Sequence, residues 1–210
     1  MKTGGKRRDQ LKGTFGFGGA YTSMVSKIFD VLMLGVLWLV CSVPLVTIGA
    51  ASSALYYAIV RSVKEDDGYA STMFFRSFRR NLKQGTILWL VLAALLFLMG
   101  LNVSILLEHA EGVFGIVMMG FYGTVGIYLF LTACYLFPAL SRFEMNTFWF
   151  LRIALYMVAR YFPTSFMLAV IAAGGAAIVW RVPVMLFFVP GPAAFLVSEF
   201  MERILEKHAP

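Results

Sequence analysis

The sequence predicts an all-α protein, a polytopic transmembrane helix bundle with no room for a separate catalytic domain. Of its 210 residues, 60% are hydrophobic and only 14% are charged, whereas soluble domains carry about 25% charged residues. The apolar residues fall in long charge-free runs, and the basic residues collect at the ends of those runs. We therefore expect five to six membrane-crossing segments and two amphipathic interfacial helices, with both chain ends on the cytoplasmic side.

Three regions follow from this distribution of charge. Residues 1–27 form a basic cytoplasmic N-terminal segment, residues 28–201 a single transmembrane helical domain, and residues 202–210 a short cytoplasmic tail. The apolar run after the first segment is longer than the apolar core of a signal peptide and lacks a clear small-residue cleavage site. We expect it to be retained as a membrane anchor.

The first charge-free run, residues 31–60, is too long for one crossing and short for two. Basic residues precede and follow it, and a single crossing would place one of these groups outside. A hairpin with its outer turn at Pro44, Thr47 and Gly49 keeps both groups inside, because proline cannot donate a backbone hydrogen bond and glycine tolerates a turn. A re-entrant pair packed against other helices, or one tilted span followed by an interfacial helix, are the alternatives.

The remaining runs supply four further crossings by alternation. Residues 84–107 lead outward, a short acidic loop follows, and residues 112–140 return. Residues 163–180 lead outward again, and residues 184–201 return. This layout places every one of the 18 basic residues except Arg181 on the cytoplasmic side, as the positive-inside rule requires.

Two amphipathic helices are predicted in the cytoplasmic loops. Residues 71–84 place phenylalanines on one face of a helix and basic side chains on the opposite face. The second helix, capped by Asn146, aligns Arg152, Tyr156 and Arg160 at a spacing of four. Both helices are predicted to bind a partner protein or anionic lipid. The predicted binding residues are Phe74, Phe75, Arg76, Phe78, Arg79, Arg80, Lys83, Arg152 and Arg160.

No catalytic, phosphate-binding or metal-binding motif is evident in the sequence. It lacks a GxxxxGK[ST] phosphate loop, an HExxH motif and a cluster of cysteine and histidine. Cys41 and Cys134 stand alone in apolar runs, where cysteine acts as a small hydrophobic residue. We expect no catalytic residue, no cofactor and no metal. Nucleic acid is not expected as a partner, because the net charge of +7 comes from basic residues at the ends of apolar runs.

Polar groups within the apolar runs are few. Asp30 lies near the entry of the first run, Glu199 lies near the exit of the last, and Asn102 is placed to bond to a neighbouring helix. A proton or ion pathway needs several such groups. The first run is broken at Pro44 and the last at Pro190-Gly191-Pro192, and broken helices form the binding sites of many transporters.

Small residues recur at a spacing of three in one predicted span. Gly120, Gly123 and Gly126 would let a second helix approach closely. That second helix belongs either to the same bundle or to a partner protein, and the sequence does not separate these two alternatives.

One block of the sequence resembles a known family. It runs from Leu37-Trp38 through Cys41-Ser42-Val43-Pro44-Leu45-Val46-Thr47-Ile48-Gly49 and Ala54-Leu55-Tyr56-Tyr57 to Phe74-Phe75-Arg76-Ser77-Phe78-Arg79-Arg80-Asn81-Leu82-Lys83-Gln84. In this order and spacing the block resembles the YesL-like family of bacterial integral membrane proteins, a domain family of unknown function. The second half of the chain is similar mainly in hydropathy, and Ala50 stands where the family often has a proline.

The resemblance implies a multi-pass protein of the bacterial cytoplasmic membrane. Members of the family lie near genes for ABC-type carbohydrate uptake, which implies a non-enzymatic accessory component of oligosaccharide import. Its partners would be the lipid bilayer and the subunits of an ABC sugar permease. The broken first and last runs favour an alternative, an autonomous transporter or channel for a small solute, with Trp38, Trp89 or Trp180 available to stack on a sugar.

Overall fold

The computed structural model describes the backbone of residues 5–65, 69–109, 112–142 and 147–205, and the side chains of this part from residue 24 to residue 202. Over these residues the chain forms seven α-helices and no strand, which confirms the all-α bundle. Two of the helices, α1 and α7, run unbroken through the predicted region boundaries after residues 27 and 201. The helices are α1 (Gly5–Ser42), α2 (Ile48–Ala58), α3 (Ala70–His109), α4 (Gly112–Arg142), α5 (Thr147–Arg160), α6 (Phe162–Arg181) and α7 (Pro190–Leu205).

Long apolar helices show that this is a membrane protein. In the described part of the chain, five segments are long and apolar enough to cross a membrane. The last apolar run is broken as predicted, because a 3-10 turn at Pro183–Phe187 precedes the 16-residue α7. α7 is shorter than the roughly 20 residues that a full crossing needs. The five candidate spans are Met24–Ser42, Leu45–Lys64, Ala70–His109, Gly112–Arg142 and Phe162–Arg181.

The first apolar run folds as a helical hairpin. After α1, Pro44 opens a 3-10 turn that ends at Thr47, and α2 then continues into a π-turn at Ile59–Lys64. The Thr47 hydroxyl lies 2.6 Å from the carbonyl oxygen of Cys41 and 2.7 Å from that of Pro44. These hydrogen bonds close the turn and take up carbonyl groups that the end of α1 leaves without a helical partner.

The two arms of the hairpin run antiparallel. The Trp38 indole N–H donates to the Ser52 hydroxyl across the arms at 3.1 Å. Further along the arms, Leu34 shares a fully buried core with Ala58 and Ile59. One tilted span followed by an interfacial helix, an alternative that the sequence left open, is therefore wrong.

α3 runs antiparallel to α2 and continues well beyond it. The Asn81 side-chain amide donates to the Ser53 hydroxyl at 3.1 Å. Half-way along α3, the Trp89 indole N–H donates to the carbonyl oxygen of Leu45 in the hairpin turn, at 2.8 Å. These contacts of the hairpin therefore lie on the first half of α3, where α4 also packs through Phe137 on Trp89.

This packing places the hairpin turn at the middle of α3. α3 has 40 residues, or about 60 Å at 1.5 Å per residue. Even at a tilt of about 40° it would cover about 46 Å, the whole bilayer with its headgroups. Trp89, the midpoint of α3, and the turn bound to it lie near the start of the apolar run at residues 84–107. Both arms of the hairpin are among the five candidate spans, so the outer turn at Pro44, Thr47 and Gly49 and the re-entrant pair both stay predictions.

Gly49 lies in α2 and not in the turn, and it serves close helix packing. A Cβ at Gly49 would overlap the carbonyl oxygen of Gly85 and come within 2.7 Å of the Trp89 Cβ. A Cβ at Gly85 would lie 2.8 Å from the Ala50 Cα. α2 and α3 thus meet at a pair of glycines, as small residues allow in membrane helices.

The first predicted interfacial helix is not a separate element. Residues 71–84 form the start of α3 and continue without a break into its apolar half. A continuous helix cannot both lie flat on the membrane surface and cross the membrane, so this part of the prediction is wrong. α5, with 14 residues, is a helix of its own, as predicted for the second.

The helices from α4 to α7 pack around a second core. Tyr135 of α4, Met157 of α5 and Met201 of α7 are fully buried in it. α7 also packs along α1, where a Cβ at Gly35 would lie 3.0 Å from the backbone nitrogen of Gly191. The two cores and the close approach of Gly35 to Gly191 bring the C-terminal helix back against the hairpin.

Candidate functional site

The N-terminal part of α3, residues 70–85, has a packed face and an open face. Asn81, which is buried on the packed face, donates to the hydroxyls of Ser53 (3.1 Å) and Ser77 (3.2 Å). These buried hydrogen bonds fix the rotation of α3 about its own axis. The packed face repeats at intervals of three and four residues: Ala70, Phe74, Ser77, Asn81 and Gly85.

The open face combines cations with apolar side chains. Arg76, Arg79 and Lys83 are exposed and follow one another along the helix at intervals of three and four residues. Phe75 and Leu82 lie among them, with 42% and 38% of their surface exposed. We call these five residues the basic face of α3. Because the packed face is fixed, the basic face points in a defined direction away from the hairpin.

Two of the predicted binding residues belong to the packed side. Phe74 is fully buried in the core that α3 shares with the hairpin. Its ring stacks on that of Phe78, with the centroids 6.2 Å apart, and Phe78 packs against the same core. The prediction that these phenylalanines face a partner or lipid is wrong. Periodicity identifies an apolar face but not whether protein or lipid covers it.

Arg80 ties three helices together. Its Nη2 donates to the carbonyl oxygen of Ser141 at 3.2 Å. Its guanidinium carbon lies 5.4 Å from the centroid of the Tyr57 ring, within the range of a cation–π interaction. Arg80 therefore links α3 to α4 and α2, whereas the sequence placed it on a surface for partners.

α5 carries the predicted stripe on its open side. Arg152, Tyr156 and Arg160 are all exposed, and Ala154 on the opposite side is fully buried. The predicted cap, Asn146, lies outside the described residues. The stripe thus leaves two cations and a phenol available on a short helix that packs on α4.

A group of polar and charged side chains holds α7, and the sequence analysis singled out only Glu199 among them. Glu202 accepts a hydrogen bond of 2.5 Å from the buried Tyr56 hydroxyl and forms an ion pair with Arg142. Glu199 Oε1 lies 2.8 Å from Lys64 Nζ. We call these five residues the C-terminal clamp. Glu202 is 146 residues from Tyr56 and 60 from Arg142 along the chain, so no local spacing could have revealed it.

The other predicted intramembrane polar residues have local roles. The Asn102 side-chain amide donates to the carbonyl oxygen of Leu98 at 2.8 Å, so it bonds within α3 and does not join two helices as predicted. Asp30 is half-buried on α1, close to Lys27 in sequence. Among the described residues, no group of three or more histidine, cysteine, aspartate or glutamate residues could hold a metal ion.

The glycine stripe of α4 is open. No described atom lies within 4 Å of a Cβ built at Gly120, Gly123 or Gly126. At Gly175 of α6, by contrast, such a Cβ would lie 3.2 Å from a Val189 methyl group. Of the two alternatives for the stripe, packing within the bundle is therefore wrong for the described part of the chain.

The two breaks in the apolar runs lie against different helices. The hairpin turn packs on α3, and the turn before α7 packs on α1 and α6. The indole N–H groups of Trp38 and Trp89 donate to groups of this chain, and Trp180 is 87% exposed. A cavity of about 270 Å³ beside Trp38 is lined by apolar residues, so it lacks the polar groups that orient a sugar.

The fold and these surfaces define a multi-pass α-helical membrane protein. Over residues 31–103, about one third of the chain, the sequence matches the model of a family described as a protein of unknown function, DUF624. The matched segment contains the hairpin and most of α3. No curated protein and no solved structure matches the chain.

Proposed function

We propose that the protein is a YesL-like, non-enzymatic accessory component of ABC-type carbohydrate uptake in the bacterial cytoplasmic membrane. It binds the permease subunits of the importer. The assignment to carbohydrate uptake rests on the resemblance of residues 37–84 to the YesL-like family. The family match at residues 31–103 covers the same block without naming a substrate.

The proposed binding of a partner protein rests on the basic face of α3. Surface cations on mobile side chains contribute little to binding, because ordering them has an entropic cost. Here the helix that bears Arg76, Arg79 and Lys83 is held by the buried Asn81 hydrogen bonds. A fixed row of cations with Phe75 and Leu82 among them suits a partner surface that is acidic and partly apolar.

The open glycine stripe of α4 supports a second contact inside the membrane. Helices in lipid associate through small residues that let their backbones approach. Gly120, Gly123 and Gly126 offer such a surface, and no described residue of this chain fills it. A membrane helix of the permease fits this role, because it would meet the stripe within the same bilayer.

The test is oligosaccharide uptake in a strain that lacks the gene. We expect the deletion to lower uptake and the wild-type gene to restore it. A variant with Arg76→Gln, Arg79→Gln and Lys83→Gln is expected not to restore it, because the basic face has lost its charge. Arg181→Gln, which removes a cation at the exposed end of α6, is the matched control and should restore uptake. Normal uptake in the deletion strain would overturn the proposal.

Liposomes separate the proposal from autonomous transport. The purified protein reconstituted alone is expected to give no flux of radiolabelled oligosaccharide across the liposome membrane. Flux that depends on this protein alone would establish a transporter and would overturn the accessory role.

A further inference from the structure

An apolar groove opens where the hairpin and α7 meet. It lies between residues 24–32 of α1, the end of the π-turn and α7, and its volume is about 650 Å³. Val31 and Val63 form its floor and are buried, whereas Ile28 and Leu196 on its walls are 62% and 49% exposed. The groove is therefore continuous with apolar surface that faces out of the protein.

Two lysines lie at this groove. Lys27 comes from α1 and Lys64 from the end of the π-turn, so the two cations approach the groove from different arms of the hairpin. A π-turn holds one residue more than an α-helical turn, which rotates the side chains that follow it. Lys64 Nζ lies 5.6 Å from the centroid of the Phe195 ring on α7, which keeps the ammonium group at the groove.

One acidic residue also reaches the groove. Glu199 pairs with Lys64 at 2.8 Å, and half of the Glu199 side chain is exposed (49%). When the pair opens, water reaches the Glu199 carboxylate, whereas Lys64, with 21% of its side chain exposed, needs another anion. An anion that arrives at the groove therefore competes with Glu199 for Lys64, and Lys27, which already has a contact of its own, supplies a second cation.

We propose that this groove binds an anionic phospholipid, with an acyl chain on Val31, Val63 and Leu196 and the phosphate at Lys27 and Lys64. Apolar walls and cations at one end match the two parts of a phospholipid. The position also fits, because lysines at the ends of apolar membrane segments lie at the depth of the lipid headgroups. Basic pockets between membrane helices are a common means of headgroup recognition. The proposal does not depend on a role in carbohydrate uptake.

Native mass spectrometry of the full-length protein in detergent tests this site. Dioleoyl phosphatidylglycerol and dioleoyl phosphatidylcholine, added at equal concentration, have the same acyl chains and differ in charge. For two lysines near the surface we expect about a thirtyfold preference for phosphatidylglycerol. Lys27→Gln with Lys64→Gln should remove the preference, and Arg181→Gln, the matched control, should keep it.

Two single variants keep the test independent of the loss of lysines. Glu199→Gln removes the competing carboxylate and should raise the occupancy of phosphatidylglycerol above that of the wild type. Leu196→Trp fills the groove at an exposed wall and should lower the occupancy of both lipids.

Three results would overturn the proposal. One is an unchanged preference for phosphatidylglycerol in the double lysine variant. Another is a lower occupancy in Glu199→Gln. The third is a shift in the mass of the protein from dimer to monomer in Leu196→Trp with lipid binding unchanged, which would assign the groove to a second copy of this chain.

Discussion

Glycine pairs set the closest approaches between helices in this protein. At Gly49 and Gly85 the backbones of α2 and α3 are so near that a Cβ on either residue would collide with the other helix. Gly35 and Gly191 hold α7 against α1 in the same way. Close approach increases van der Waals contact, which is the main attraction between helices in lipid because lipid is as apolar as the helices themselves.

Gly85→Leu should lower the free energy of unfolding by about 1–3 kcal/mol or more, the cost of overpacking a tight contact. The new Cβ would lie 2.8 Å from the Ala50 Cα, which is backbone and cannot rotate away. Thermal unfolding in detergent measures the change.

Gly174→Leu is the matched control for this variant. No described atom lies within 4 Å of a Cβ at Gly174, so we expect a change within about 0.5 kcal/mol. An equal loss of stability in both variants would contradict the close contact at Gly85.

Spacing along one helix identified some of these residues but not their roles. Gly120, Gly123 and Gly126 stand at a regular interval and predicted close packing, yet they are open in the described part of the chain. Gly49 was predicted in a turn and instead meets Gly85, which is 36 positions away (85 − 49). A row of small residues can be predicted from the sequence of one helix. Which helix packs on that row depends on how the whole bundle assembles.

At the scale of elements, α3 and α7 organise the bundle. α3 joins a packed face against the hairpin, the basic face and an apolar half into one helix. α7 returns to the hairpin through the C-terminal clamp, in which Glu202 binds Tyr56 and Arg142. The clamp connects α7 to α2 and α4. It therefore links residues 31–103, which match the family model, to the rest of the protein.

Glu202→Gln should lower stability by about 1–3 kcal/mol, because Arg142 loses its charge partner and the buried Tyr56 hydroxyl loses a charged acceptor. Hydrogen exchange should show faster exchange in α7. Glu65→Gln breaks the exposed ion pair with Arg61, which is 2.7 Å long, and should cost less than about 1 kcal/mol. Unchanged protection of α7 in Glu202→Gln would show that the clamp does not hold the helix.

Charge distribution predicted the hairpin but not the continuity of α3. Basic residues on both sides of residues 31–60 could be kept on one side only by a chain reversal, and the structure contains one. The start of α3 has the same amphipathic pattern as a surface helix, because a helix packed on protein and one packed on lipid show the same periodicity. Gly85 at the junction with the apolar half favours a boundary there, yet α3 continues through it.

For the whole molecule, the depth of the hairpin turn decides the arrangement in the membrane. The turn binds Trp89 at the midpoint of α3. Lys27, Lys64 and Arg76 then lie towards one end of the molecule, and Glu108 lies at the other end of α3. This separation of charge agrees with the positive-inside rule when the basic end is cytoplasmic.

Labelling from outside the cell tests the depth of the turn. In a variant with Cys41 and Cys134 replaced by alanine, Glu108→Cys should react with a membrane-impermeant maleimide in intact cells. We expect a re-entrant hairpin, so that Val46→Cys, in the turn, should react only after the membrane is dissolved. Labelling of Val46→Cys in intact cells would contradict the re-entrant hairpin and establish the outer turn.

The class of protein followed from composition and run length, because a chain with 14% charged residues needs lipid as its solvent. The binding surface could be predicted only in part. Arg76, Arg79 and Lys83 are exposed as predicted, and Phe74 is buried. Arg80 is exposed too, but it also bonds to α4. The C-terminal clamp depends on contacts between distant segments, which neither periodicity nor charge pattern encodes.

Co-elution with an ABC sugar permease is the most direct measurement of partner binding. The two proteins, co-expressed and purified in mild detergent, are expected to elute together. Arg76→Gln, Arg79→Gln and Lys83→Gln combined should weaken the complex by about tenfold, or about 1.4 kcal/mol, while Arg181→Gln should leave it intact. Failure of the wild-type protein to co-elute with the permease, or equal retention of the triple variant, would contradict binding through the basic face of α3.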